Sequence, residues 1–169
     1  MKRLIKLFLL SMLLITMSCC QMTKPLASQT DDSEIIYKQT LKALDKQMFI
    51  IQACEFYFPT VKSPIKMSTG SYISLEGQHG VICFSPDVFP GDPWSYLMIE
   101  DNMAKLTKEK SKKNGDQQYS IKINGDKEWL KRTILITIYK NTNMCYVKVN
   151  DRTGTNIVDF KGDIYLKQN

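Results

Sequence analysis

The chain carries a single histidine, His79, in the polar run Gly77-Gln78-His79-Gly80. A Ser–His–acid triad would have to pass through it, yet no G-x-S-x-G nucleophile turn accompanies it. A lone turn histidine is expected to be solvated. Of the cysteines, Cys19 and Cys20 stand together near the N-terminus, while Cys54, Cys83 and Cys145 are spread through the body. None of these three has a second ligand at the spacing a tetrahedral zinc site uses. An odd number cannot all pair, and three buried thiols are favoured over one bridge plus one thiol, because free cysteine is among the most buried residue types. Among the carboxylates, the adjacent Glu100 and Asp101, with Asp87 and Asp92, could share a cation, a sugar hydroxyl or acid–base work. Adjacent acidic residues more commonly decorate a solvated edge. The residue types therefore assign no catalytic residue, no cofactor and no metal ligand.

Two surface segments carry more promise. Residues 85–95 (SPDVFPGDPWS) hold three prolines, and Phe89, Trp94 and Tyr96 are set within or beside them. Proline lowers the entropy cost of holding rings outward, which makes these aromatics the candidate partner-binding residues. The competing reading folds them back as a plug over one end of a sheet. Residues 105–113 contain Lys105, Lys108, Lys110, Lys112 and Lys113, interrupted by Glu109. Such a run could meet anionic lipid headgroups. The simpler reading is an exposed strand whose lysines block edge-to-edge pairing.

The N-terminus differs in kind from the rest. Residues 1–6 (MKRLIK) are basic, and residues 7–17 (LFLLSMLLITM) carry no charge before Ser18-Cys19-Cys20. A basic start followed by a short apolar core is the form of a secretory signal. It is shorter than the roughly 20 residues a spanning helix needs. Ser18-Cys19 has the local form at which bacterial lipoproteins are cut and acylated, so Cys19 is the expected lipidation site, with a conventional signal peptide as the alternative. Residues 19–32 then read as a polar tether containing Pro25, and residues 33–169 as one domain. Loss of Lys2, Arg3 and Lys6 with the signal lowers the formal charge from +6 to +3, too small an excess for a nucleic-acid protein. The expected address is an exported one, periplasmic or membrane-anchored in the cell envelope.

Positioning the body residues falls to one helix and a set of strands. Ile36, Leu41, Leu44 and Met48 recur at nearly helical spacing behind a cap at Asp32 or Ser33, predicting a helix over 33–50. Beyond it, period-two patterns take over. Residues 55–58 read as a strand ending at Pro59, and 72–75 with 81–84 flank a glycine-containing turn as a short hairpin. Residues 102–112 are ambiguous, but Asn114-Gly115 before the alternating Tyr119, Ile121 and Ile123 favours a hairpin with a type I′ turn and a solvated first arm. Residues 132–139 put Ile134, Ile136 and Ile138 on one face, 144–149 do the same with Cys145, Val147 and Val149, and 157–166 supply the last strand. Connections this short force antiparallel pairing, and a one-sided sheet needs cover. The predicted class is α+β: an N-terminal helix packed against a mainly antiparallel β-sheet of about six to eight strands.

The closing pattern resembles that of an uncharacterised family of small exported, lipoprotein-like Bacteroidetes proteins, known only as a domain of unknown function. The shared features fall on Thr137-Ile138-Tyr139, the turn 141–143, the strand 146–149, Arg152, and Phe160-Lys161-Gly162-Asp163-Ile164. The similarity runs from about residue 35 to the end and is specific mainly within 133–164. It implies export and a helix followed by a β-rich domain, and it implies no established chemistry. Gly162 reads as a point of close strand packing or a bulge, and Arg152 as a residue that fixes a turn through backbone carbonyls. The leading expectation is a non-enzymatic binding or adaptor domain of the envelope that recognises a protein, peptide or glycan and is held to a membrane by its lipid anchor. A structural accessory lipoprotein without a small-molecule ligand is the second reading. An envelope hydrolase using carboxylates gathered in a cleft is the third.

Overall fold

The computed structural model describes residues 26–58, 63–66, 70–88 and 97–167. The chain divides into the units Met1–Asp31 and Asp32–Asn169. In the first, residues 26–31 are the described part and are helical; the second holds every described strand.

Helix α1 (Leu26–Asp45) ends five residues before the predicted stop at 50. Gln47 donates its N–H to the Leu44 carbonyl at 2.8 Å and adopts a left-handed φ of 54°, which turns the chain at once into β1 (Met48–Tyr57). Left-handed caps usually carry Gly or Asn, so Gln gives no stop signal, and Met48 falls four residues after Leu44 and prolongs the helical period. Ala43 and Leu44 are fully buried, Thr40 nearly so, and Tyr37 packs against the same core. Ile36, predicted for this stripe, is 43% exposed.

The remaining strands are β2 (Ile65–Lys66), β3 (Tyr72–Glu76), β4 (His79–Phe84), β5 (Leu97–Asp101), β6 (Lys105–Lys108), β7 (Gln117–Ile123), β8 (Arg132–Ile138), β9 (Met144–Asn150) and β10 (Asn156–Leu166). They form one antiparallel sheet in the order β5-β4-β3-β1-β10-β9-β8-β7-β6, with β2 also on β1. The α+β class stands, with ten strands among the described residues in place of six to eight. The additions are β2, only two residues long, and β5, whose sequence Leu-Met-Ile-Glu-Asp has no alternation to betray it. The solvated arm before Asn114-Gly115 does pair as β6, but the turn is not type I′. That turn needs positive φ at both central residues. Gly115 has it at 92°, whereas the described non-glycine residues with positive φ are Gln47 and Asn141.

The sheet curls on itself. Gly80 of β4 lies directly against Ala104 and against Ile123 of β7, although six ladder steps separate those two strands. Asp101 holds the corner between β5 and β6: its carboxylate accepts the N–H of Met103 at 2.8 Å and that of Asn124 at 2.7 Å. Ala104 donates to the Gln78 carbonyl at 2.9 Å. The curl gives one core, filled by the predicted faces Ile134, Ile136, Ile138 and Cys145, Val147, Val149, and by Phe56, Phe84 and Phe160, whose rings meet at 5.5–6.1 Å. Every buried member of this core lies between Ala43 and Ile164.

One irregularity decides the fate of a cysteine. The β1–β10 register slips between Ala53 and Glu55, leaving Cys54 as the extra residue of a bulge. The slip keeps Phe49, Ile51, Ala53 and Phe56 inside while Cys54 reaches the surface. The expectation of three buried thiols is thus corrected: Cys83 and Cys145 are buried, Cys54 is exposed, and no disulfide joins any two of them. Gly162 sits opposite Ala53, where a Cβ would collide with the Gln52 carbonyl oxygen, so its reading as a point of close approach holds.

Candidate functional site

The described candidate residues form no common cluster. Cys19, Phe89, Asp92, Trp94 and Tyr96 lie outside the described residues. His79 opens β4 with its Nδ1 2.8 Å from the Asn102 Oδ1. Glu100 is exposed on β5, whereas Asp101 is buried and engaged by backbone amides. Among the described residues no three His, Cys, Asp or Glu side chains gather as a metal site would require. Among the described residues Arg152 makes no hydrogen bond to a carbonyl; it reaches Glu128 at 4.0 Å. The β9–β10 turn is organised by Asp151, whose Oδ1 accepts the N–H groups of Thr153 at 2.8 Å and Thr155 at 2.9 Å and the Thr153 hydroxyl at 2.7 Å. A short side-chain acceptor of this kind needs no arginine.

On the outer face of the sheet a polar ladder crosses three strands. Tyr57 donates its hydroxyl to Glu55 at 2.7 Å, Lys161 approaches the same carboxylate at 3.4 Å, and Tyr146 donates to Asp159 at 2.6 Å. Lys161 and Lys148 also lie over the Tyr57 and Tyr146 rings, at 5.2 and 5.9 Å. Burial, and then the Asp159 carboxylate, push the Tyr146 phenol well above its ordinary value. Hydrogen bonding from Tyr57 lowers the Glu55 carboxyl. Cross-strand pairs of this type brace β1, β10 and β9.

The groove between α1 and the end of β10 has the character of a binding site. Its volume is about 600 Å³, within the range of ligand pockets. One wall is α1, with Ile36, Gln39, Thr40 and Lys42, and Lys46 just past its end; the other is Ile164, Tyr165 and Leu166, with Asn143 from the β8–β9 turn. The local fold sets this geometry. Asn141 takes a left-handed φ of 59° and tightens the turn, and the Asn143 carbonyl accepts the Ile164 N–H at 2.9 Å, docking that turn on β10. Thr40 donates its hydroxyl back to the Ile36 carbonyl at 3.0 Å, so a threonine can sit at the buried edge of the helix.

Ile36, Tyr165 and Leu166 keep 43%, 50% and 49% of their surface exposed. A single exposed apolar residue needs no explanation, but several around one concavity mark an interaction site. Lys42 and Lys46 make no ion pair among the described residues, and the lining holds no carboxylate. Apolar walls beside two unpaired ammonium groups suit an apolar body carrying a negative charge. Sequence reasoning missed this site. The signal available was the pairs Ile35-Ile36 and Tyr165-Leu166: neighbours on a helix or strand diverge in direction, so both members of a pair cannot face one core.

The fold is similar to that of a solved DUF4251 family protein from Bacteroides eggerthii DSM 20697, with a TM-score of 0.63, 17% identity, and coverage of 81% of this chain and 91% of that one. At this identity the likeness is one of fold. It agrees with the resemblance of the C-terminal pattern to an uncharacterised Bacteroidetes family. No family model matches the sequence, and no curated protein sequence matches it either.

Proposed function

We propose that the protein is a non-enzymatic binding module of the bacterial cell envelope, exported by residues 1–18 and held to a membrane through an acylated Cys19. The α1–β10 groove is its ligand site, and the ligand is a peptide segment of an envelope partner that sets a carboxylate beside an apolar side chain. One observation carries this reading: exposed Ile36, Tyr165 and Leu166 line a groove whose only charges among the described residues are Lys42 and Lys46, neither of them ion-paired there. A neutral glycan would leave both ammonium groups without a counter-charge, which favours the peptide. Export is supported by the basic start and the uncharged run before Ser18-Cys19. Phe89, Trp94 and Tyr96 are proposed as a second partner contact on the strength of their proline-rich setting.

The test is to pan a randomised peptide library against the immobilised unit Asp32–Asn169, which contains the whole core. Selected sequences are expected to be enriched in Asp or Glu next to Leu, Ile or Phe. In a Lys42→Glu, Lys46→Glu variant with unchanged Tm that acidic preference should vanish. An unchanged selection would defeat the proposal, as would no selection at all.

A further inference from the structure

We infer that the lysine stripe along β6 and the loop after it is a docking surface for an anionic lipid bilayer, separate from the groove. Among the described residues β6 is an edge strand paired with β7 alone, and Lys105 and Lys108 on it suffice to block edge-to-edge pairing. Edge protection does not explain the others. Lys110, Lys112 and Lys113 lie beyond the strand, in the loop 109–116. Lys105 stands directly opposite Lys122 of β7, and like charges in that position are destabilising. Lys140 joins the loop from the β8–β9 turn, its N–H donated to Asp116 at 3.0 Å and its side chain against Gly115.

None of these lysines makes an ion pair among the described residues. The two neighbouring carboxylates are otherwise engaged. Glu109 accepts the Ser120 hydroxyl at 2.8 Å, and Asp116, only 7% exposed, accepts from the Asn114 amide at 2.7 Å. The nineteen basic and sixteen acidic residues of 32–169 leave a formal +3. Seven lysines and two carboxylates of the stripe alone carry +5, so the rest of the unit is net negative. Positive charge is concentrated along this edge of the sheet at a cost in repulsion, and that is what a polyanionic surface would use.

A bilayer is favoured over a soluble polyanion by position. Gln117, the first residue after the loop, lies beside Tyr37 of α1, and the proposed anchor precedes that helix in the sequence. This choice of surface rests on the proposed acylation of Cys19; the charge distribution does not. A single acyl chain anchors weakly, and a basic patch is the usual second signal. Each lysine near an anionic leaflet contributes roughly fivefold in binding.

The experiment is co-sedimentation of the unit Asp32–Asn169, free of any anchor, with phosphatidylcholine vesicles made with and without phosphatidylglycerol. Binding is expected only with phosphatidylglycerol and should be lost in high salt. A variant with Lys108→Gln, Lys110→Gln, Lys112→Gln and Lys113→Gln should bind at least about a hundredfold more weakly. A variant with Lys66→Gln, Lys127→Gln, Lys131→Gln and Lys167→Gln, equal in net charge, should bind within about fivefold of the parent. Thermal melts of both variants confirm folding. An equal loss in the two variants, equal binding to both vesicle types, or tighter binding per phosphate to a DNA duplex than to vesicles would each overturn the inference. None of these outcomes bears on the groove, whose residues are untouched.

Discussion

Replacing Gly162 by alanine tests the closest approach in the fold. The new Cβ would collide with the Gln52 carbonyl oxygen and come to 3.1 Å from the Gln52 carbonyl carbon and 3.3 Å from the Ala53 Cα. All three atoms are backbone, so no rotamer change relieves the contact. β1 is hydrogen-bonded to β10 on one side and to β3 and β2 on the other, so it cannot retreat without loosening a ladder. Overpacking with backbone displacement costs about 2–3 kcal/mol. The stiffer unfolded chain returns roughly 0.5–1 kcal/mol. The net loss is about 1–2.5 kcal/mol, a fall in Tm of roughly 3–9 °C for a domain of this size. Urea titration followed by far-ultraviolet circular dichroism measures it. Gly77→Ala is the comparison: nothing lies within 4 Å of its Cβ, and its φ of 59° isolates the cost of a left-handed alanine, about 1 kcal/mol. A neutral or stabilising Gly162→Ala would refute the close β1–β10 approach and the bulge built around it.

Two further perturbations probe other parts of the account. Asp101→Ala strips the acceptor from the Met103 and Asn124 amides that close the corner between β5 and β6; a loss of about 2–4 kcal/mol is expected, and less for Asp101→Asn. A smaller effect for the alanine variant than for asparagine in urea titration would contradict that role. Cys54 should react with a disulfide reagent in the native state while Cys83 and Cys145 react only on unfolding. Desolvation, then the Asp163 and Glu55 charges, raise the Cys54 thiol above its ordinary value. Because the thiolate is the reactive form, its labelling rate should keep climbing above the usual thiol range as pH rises. A plateau at or below that range, or native labelling of Cys145, would be inconsistent with this placement.

How much was legible follows from which signals are local. The strands β8, β9 and β10 announce themselves because Ile134, Ile136, Ile138 and Cys145, Val147, Val149 alternate cleanly between turns, and the structure buries all six. The end of α1 was hidden by two coincidences, a glutamine in a left-handed cap and Met48 at helical spacing from Leu44. The bulge at Cys54 is a property of two strands in register, and one strand's sequence cannot display it. The groove is less local still, since its walls are separated by more than a hundred residues and meet because α1 turns directly into β1, which pairs with the end of β10. Its sequence trace is the surplus of apolar residues at Ile36 and Tyr165-Leu166, which a periodic pattern assigns to the core.

The central claim is that the α1–β10 groove is the ligand site. The most direct measurement is to titrate isotope-labelled Asp32–Asn169 with a library-selected peptide that pairs an acidic with an apolar residue, and to map the amide shifts by nuclear magnetic resonance. The account predicts saturable shifts at Ile36, Gln39, Thr40, Asn143 and residues 164–166, abolished by Ile36→Asp. Shifts centred on any other face, or binding that survives Ile36→Asp unchanged, would contradict it.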